Sequence, residues 1–317
     1  MSADDKEDLP QPLASVAVLQ CTLNGGEFLE EQLDSIGRQD TPECCVYASD
    51  DGSSDETLGI LERFRNNWGV RRLCISRGPQ RGHVANFFSL ICSPQIDADY
   101  FAFADQDDIW DTGKLSRALA ILAVLPDDRP ALYCARTRLV DQAGAPIGLS
   151  PLFRRSPGFA NALIHNIGGG NTMVLNRCAR ELLRAAGQVD IVSHDWWTYI
   201  LVAGAGGAVV YDAHPSLSYR QHRRNLIGSN MSWRERFSRF RGALQGRNRK
   251  WNSRNIIALQ HSRSLLRMEN LETLDEFCRA RNAWLVPRAL GMWRSGVYAQ
   301  SVWGNLALIA ATFLKKI

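Results

Sequence analysis

Eight cysteines occur in the 317 residues, yet no two stand at a CxxC spacing, and Cys44 and Cys45 are adjacent. That arrangement suits neither a zinc knuckle nor a disulfide framework, so free thiols in a reducing cytosol are expected. No apolar run reaches the length of about 20 residues that a membrane-crossing helix needs, and no signal peptide is expected at the N-terminus. The two commonest phosphate-gripping loops are also missing. GxGxxG does not follow the first apolar run and GxxxxGK[ST] occurs nowhere, which argues against dinucleotide and P-loop binding. Acids are scarce towards the C-terminus: residues 230–317 hold 16 lysines and arginines against 5 acids, whereas the remainder holds 21 against 28. The net charge of +4 therefore conceals an acidic body and a basic segment. A basic segment of this kind attracts phosphates, either of nucleic acid or of anionic lipid head groups.

What is present is a knot of acids at the end of an apolar run. Tyr100-Phe101-Ala102-Phe103-Ala104 leads into Asp105-Gln106-Asp107-Asp108-Ile109-Trp110, with three carboxylates within four residues and no lysine or arginine among them. The apolar part reads as a buried strand of a parallel sheet. Its acids would emerge at the carboxyl end, where open α/β sheets bind ligands. Crowded anions repel, and a divalent cation relieves that repulsion. The alternative is a helix cap, with Asp111 or Thr112 opening the next helix; a cap needs one acid, so a metal or ligand site is the better reading.

The rest of the first half alternates in the same way. Strands are expected at 15–21, 45–49, 72–76 and 131–135, and helices carry Leu29, Leu33 and Ile36, then Leu61, Phe64 and Trp68, then Leu115, Leu119 and Leu122 on single faces. Ser53 or Ser54 is placed to cap the second of these helices. Strands and helices in alternation with short loops imply an α/β, Rossmann-like, mostly parallel doubly wound sheet. Beyond about Asp141 the alternation loosens. Further strands are expected at 172–175, 208–211 and 217–219, a helix opens at His194-Asp195-Trp196-Trp197, and the pattern from Trp233 onward is helical and rich in arginine and tryptophan. Residues 302–314 are mostly apolar and are followed by Lys315-Lys316. They are too short to span a bilayer, and either lie in its interface or pack on the body.

Two acidic clusters thus stand at the ends of neighbouring strands, Asp50, Asp51 and Asp55 and then Asp105, Asp107 and Asp108. A carboxylate there can accept a hydrogen bond from a nucleobase imide or a ribose hydroxyl. Carboxylate, water and phosphate oxygens together suit Mg2+ or Mn2+. A nucleoside diphosphate with something attached fits such a site. A phosphate-handling receiver or phosphatase fits less well. A receiver carries its acidic pair after the first strand, and such a phosphatase wants Thr or Val after its DxD, where this chain has Asp108. A nucleic-acid module built on the basic segment lacks any recognised motif, and no nucleic-acid partner is expected.

In order and spacing, Thr22-Leu23-Asn24-Gly25-Gly26-Glu27-Phe28, Ser49-Asp50-Asp51-Gly52-Ser53, Asp105-Gln106-Asp107-Asp108, His194-Asp195-Trp196-Trp197 and Tyr219-Arg220-Gln221-His222 resemble the family 2 glycosyltransferases of GT-A fold. Within them the pattern is similar to a rhamnosyltransferase-like branch that builds bacterial surface polysaccharide. The resemblance implies an inverting transfer of a sugar, rhamnose or another deoxyhexose, from a nucleotide-sugar donor to a lipid-linked or polysaccharide acceptor. It puts Thr22, Asn24, Glu27, Asp51 and Asp105 at the donor nucleotide, with Thr22 and Asp51 at the base and Asp105 at the ribose. Asp107 becomes a ligand of Mg2+ or Mn2+, His222 a candidate second ligand, and Asp195 the general base. Leu23 departs from the pattern, because the family usually has an aromatic residue there for stacking on the base.

Around these positions the residues allow two roles each. Trp196 and Trp197 offer indole faces to an acceptor sugar or anchor their helix. Gly168, Gly169 and Gly170 let backbone approach an acceptor or simply permit a turn. Arg220, Arg223 and Arg224 pair diphosphate oxygens or form a solvated basic loop. The expected division is a disordered acidic tail over 1–13, a transferase domain over 14–229 with a donor half to about 140 and an acceptor half from 141, and a basic helical segment over 230–317. That segment is suited to an anionic membrane surface, so the expected location is cytoplasmic, including the inner face of the plasma membrane.

Overall fold

The computed structural model describes residues 14–41, 43–222 and 247–317; the tail expected over 1–13, Arg223, Arg224 and the basic stretch 230–246 lie outside the described residues. The first half runs β1 (Val16–Thr22), α1 (Leu29–Gly37), β2 (Cys44–Asp50), α2 (Thr57–Trp68), β3 (Leu73–Arg77), α3 (His83–Ile91), β4 (Tyr100–Ala104), β5 (Ile109–Trp110) and α4 (Lys114–Leu122). It is followed by β6 (Ala131–Ala135), β7 (Arg138–Val140), β8 (Pro146–Leu149), α5 (Phe159–Ala162), β9 (Val174–Asn176), α6 (Arg177–Ala186), α7 (His194–Gly204), β10 (Ala208–Asp212) and β11 (Leu217–Arg220). The remaining described helices are α8 (Arg247–His261), α9 (Met268–Asn282), α10 (Leu285–Arg294) and α11 (Val302–Phe313).

Seven strands form the main sheet in the order β10-β6-β9-β4-β1-β2-β3. β1 pairs in parallel with β2 and β4, β2 with β3, and β6 with β10, as the alternating pattern implies. β9 is the reversed member, antiparallel to both β4 and β6. It enters from a short 3-10 turn at Gly170–Thr172 and not from a crossover helix, so the rule that makes βαβ units parallel does not act on it. A second sheet, ordered β5-β11-β7-β8, lies beyond the ends of the first. Of its strands only β11 is visible in the sequence; the others are two to four residues long, too short for periodicity to reveal.

Helices cover both faces of the main sheet, so successive residues of the central strands β1, β4, β6 and β9 are almost all buried, whereas the edge strands β3 and β10 are partly exposed. Leu19, Phe101 and Phe103 point to one side with Phe87, Leu183 and Trp197. Val18, Ala102 and Ala104 point to the other with Leu33, Leu61 and Leu115. Leu259, Leu274, Phe277 and Met292 of the C-terminal helices extend the first of these clusters. Asn270 Nδ2 closes the end of α7 by donating to Ala203 O and Gly204 O at 3.1 and 2.9 Å.

Two local expectations are corrected. The Asp55 carboxylate, not Ser53 or Ser54, caps α2 by accepting from Thr57 N at 3.0 Å. The fourth helix starts at Lys114 without a side-chain cap, and Asp111 instead pairs with Arg138.

Arg180 shows how the second half is bolted to the first. Only 4% exposed, it donates Nε to Ile91 O at 2.9 Å and Nη2 to Ser93 O and Ile96 O at 2.5 and 3.1 Å. Arg180→Ala strands three carbonyls and is expected to lower stability by about 3 kcal/mol or more; an unshifted urea midpoint would sink this account. His194 is buried, stacked on Phe87 at 3.7 Å with its edge towards Phe103 at 5.0 Å, and burial pushes its pKa down to about 4 from 6.5. The folded chain thus refuses a proton that the unfolded chain accepts, so this residue withdraws stability as pH falls from 6.5 towards 4. Its ring resonances are expected to stay unprotonated at pH 5.5 in NMR titration, and a midpoint near 6.5 would contradict the burial argument.

Candidate active site

The parallel register of β1, β2 and β4 brings their carboxyl ends together, with Thr22 opposite Asp50 and Gln20 opposite Ala104. The three loops that follow are tied to one another through polar side chains. Asp50 accepts from Thr22 Oγ1 at 3.0 Å, Ser53 N at 2.9 Å and Gly52 N at 3.2 Å. Asn24 adopts φ 49°, a left-handed conformation that Asn tolerates, and its Oδ1 accepts from Ser54 N at 2.9 Å. Gln106 grips Leu23 twice, accepting from its amide at 2.8 Å and donating to its carbonyl at 3.0 Å. Asp51 ties in the loop after β3 by accepting from Gln80 N at 2.6 Å and Gly82 N at 2.9 Å.

These ties alter the expected donor contacts. Thr22 is 1% exposed, its hydroxyl is given to Asp50 and its carbonyl takes Asp51 N at 2.9 Å. Direct contact of its polar atoms with a base is therefore corrected: Thr22 is part of the floor under the loops. Glu27 Oε1 accepts from Gln142 Nε2 at 2.6 Å, linking β1's loop to the turn between β7 and β8. Leu23, where an aromatic residue is usual, is 48% exposed at the mouth of the cleft.

The three acids after β4 have three different surroundings. Asp107 Oδ2 lies 2.7 Å from His222 Nε2, so residues 115 positions apart meet. Asp105 is half-buried, and burial, helped by the charges of Asp107 and Asp195, pushes its carboxyl up to about 7. Asp108 is 1% exposed, accepts from Asn171 Nδ2 at 2.7 Å, and has its pKa raised well above the carboxylate range by burial and by Asp107 and Asp105. Nearby, Lys114 Nζ is buried 3.5 Å above the Trp110 ring, and burial lowers its pKa to about 7.

Arg220 assembles this side of the cleft. It is 2% exposed, and its guanidinium donates to Asp107 O at 3.2 Å and Gln142 O at 2.7 Å while pairing with Glu31. It also lies over the Phe28 ring at 4.6 Å, and that ring faces His222 at 5.2 Å. Neither reading from sequence, a diphosphate contact or a solvated loop, describes it. Arg220 is a buried strut that sets the backbone of Asp107 and the approach of His222.

The facing wall comes from α7 and the loop before β9. Asp195 sits in the first turn of α7, where Asn166 Nδ2 donates to Oδ2 at 2.9 Å and Trp196 N donates to Oδ1 at 2.7 Å. A Cβ on Gly170 would come within 3.1 Å of His194 Cε1, so this buried glycine makes room for the histidine; Gly169 beside it is exposed. The tryptophans are corrected to core residues. Trp197 is fully buried, and Trp196 is 7% exposed with Nε1 donating to Ala162 O at 2.7 Å. His83, unnoticed in the sequence, is exposed at the start of α3, 6.3 Å from His194 and within the field of Asp195. Asn166 and Gln106 were likewise missed, because amides carry no sequence signal until their partners are known.

The family profile for Glycosyl transferase family 2 matches residues 17–180. The chain is 30% identical over 252 residues to the dTDP-rhamnosyl transferase RfbG of Shigella flexneri, an alignment covering 76% of this chain and 83% of that protein. S. aureus TarS 1-349 in complex with UDP-GlcNAc superposes with a TM-score of 0.54 at 17% identity, covering 90% of this chain and 93% of that one. The mannosyltransferase PcManGT from Pyrobaculum calidifontis, in complex with GDP-Man and Mn2+, also gives 0.54 at 17% identity, over 97% and 87%. At such identities the likeness is one of fold, the GT-A arrangement. The receiver, phosphatase and nucleic-acid readings are set aside by the profile match and the relative together: this chain belongs to family 2 of the glycosyltransferases, enzymes that move a sugar from a donor to an acceptor.

Proposed function

We propose that the protein carries out an inverting, metal-dependent transfer of rhamnose or another deoxyhexose from a nucleotide-sugar to a lipid-linked or polysaccharide acceptor, in cell-surface polysaccharide synthesis on the cytoplasmic side of the plasma membrane. The observation that carries this reading is the convergence of Asp105, Asp107 and His222 at the end of β4, with Asp195 across the cleft and close enough to raise the Asp105 pKa. The sugar class rests on the likeness to a dTDP-rhamnosyl transferase over most of both chains.

Asp51, Asp105 and the loops tied by Asn24 and Glu27 form the donor side. Leu23 covers the base as an aliphatic cap in place of a stacking ring. Asp107 and His222 fit a divalent cation of the Mg2+ or Mn2+ type, since carboxylate and imidazole suit Mn2+ and two crowded carboxylates favour a positive neighbour. Among the described residues no group of three His, Cys, Asp or Glu side chains is set to hold a metal, so phosphate and water oxygens would complete its shell. When bound, such a cation neutralises charge on the diphosphate leaving group.

The acceptor hydroxyl is a poor nucleophile near neutral pH and needs a base on the far side of the sugar. Asp195 has that position opposite the donor side. Asn166 and the Trp196 amide hold one lone pair on each of its oxygens, which orients the carboxylate and leaves a second lone pair to take the hydroxyl proton. Attack from the face opposite the leaving group inverts the anomeric centre.

Asp107→Ala and His222→Ala are expected to abolish the Mn2+-dependent part of nucleoside diphosphate binding in calorimetric titration; unchanged isotherms would refute the ligand pair. Asp195→Asn is expected to keep donor affinity while lowering turnover by about 10² or more. Near-normal turnover in that variant would remove Asp195 from the role of base.

A further inference from the structure

Helices α10 and α11 carry a surface unlike that of a solvated helical pair. Trp284, Trp293 and Trp303 are 69%, 79% and 81% exposed, and Leu306, Ile309 and Phe313 continue the outer side of α11 at helical spacing. Buried Arg288 of α10 donates to Thr312 O at 3.0 Å and locks the two helices together. Single exposed apolar residues are ordinary, but a set of this size on two packed helices marks an interaction surface. Its surroundings are cationic: residues 277–317 contain four arginines and two lysines and no Asp or Glu. Beside the end of α11, a cleft of about 610 Å³ is lined by Arg249, Lys250, Arg254 and Lys316, with Asp190 paired to Arg254.

We propose that this face docks on an anionic lipid bilayer, with the tryptophans and aliphatic residues of α10 and α11 at the head-group boundary and the basic cleft holding lipid phosphates. Charge selects this occupant. A second copy meeting the face would oppose two predominantly cationic rims, whereas an anionic lipid surface complements them. Indole rings suit a boundary that is apolar on one side and wet on the other. Length selects the mode: the 12 residues of α11 reach about 18 Å at about 1.5 Å per residue, short of a hydrocarbon core of about 30 Å. No helix of the described residues is long and apolar enough to cross a membrane.

The segment joining the two helices is fixed to the acceptor half. Asn161 Nδ2 donates to Tyr298 O at 2.7 Å, Tyr298 Oη donates to Ser156 O at 2.5 Å, and Gln300 Nε2 donates to Asn161 Oδ1 at 3.3 Å. Docking therefore holds the segment that leads into Asn166 and Gly169 to the lipid surface. This surface lies outside the transfer site and does not depend on the donor or the metal.

Flotation of the full chain with phosphatidylcholine vesicles, with and without phosphatidylglycerol, tests it. The protein is expected to float with phosphatidylglycerol vesicles and to be released by high salt. Trp293→Ser with Trp303→Ser is expected to lower partitioning by about tenfold or more, and Lys315→Glu with Lys316→Glu to remove the preference for the anionic lipid. Donor binding in these exposed-site variants should equal that of the parent. Failure of the parent to float, or equal flotation of the tryptophan variant, would overturn the proposal. So would a dimer in light scattering that the tryptophan variant dissolves without either protein floating, since a second copy would then cover the face.

Discussion

Placing Asp105, Asp107 and Asp108 side by side makes Asp105 and Asp108 harder to ionise, and each of the three acids meets a different set of neighbours. Asp108 withdraws into the interior and is held by Asn171 from the other half of the chain. Asp107 turns to His222, while Arg220 beneath it places a guanidinium against the Asp107 carbonyl. Asp105 is left with a raised pKa between Asp107 and Asp195. The loop before β9, the strand β11 and the residues after it thus meet at the end of β4.

The same bonds divide the cleft into a fixed and a composite side. On the side proposed for the donor, three loops are braced by backbone amides meeting Asp50, Asp51, Asn24 and Gln106, so their geometry is set before any ligand arrives. Across from them, Asp195 depends on α7, whose first turn is held by the stacking of His194 on Phe87 and by the space that Gly170 leaves. Asp195, the proposed base, and the loops proposed to hold the donor thus share one core through Phe87 and Phe103. That core extends through α8 and α9 to the helices whose outer faces are apolar, which joins the cleft mechanically to the surface proposed to meet lipid.

Runs of apolar residues, the order of the acidic motifs and the helical spacing of Leu29, Leu33 and Ile36 depend only on near neighbours in the chain. The parallel half, and Asp105, Asp107, Asp195 and His222 as candidate site residues, were therefore open to reading without coordinates. Partnerships are another matter, because a polar side chain's role depends on what folding sets beside it. Thr22 became floor, Trp196 and Trp197 became core, Asp55 replaced a serine as cap, and Arg220 became a buried strut. Which acid turned inward, which strand ran backwards and which arginine was withdrawn from solvent were decided by long-range packing, since burial and hydrogen-bond partners exist only once distant segments have met.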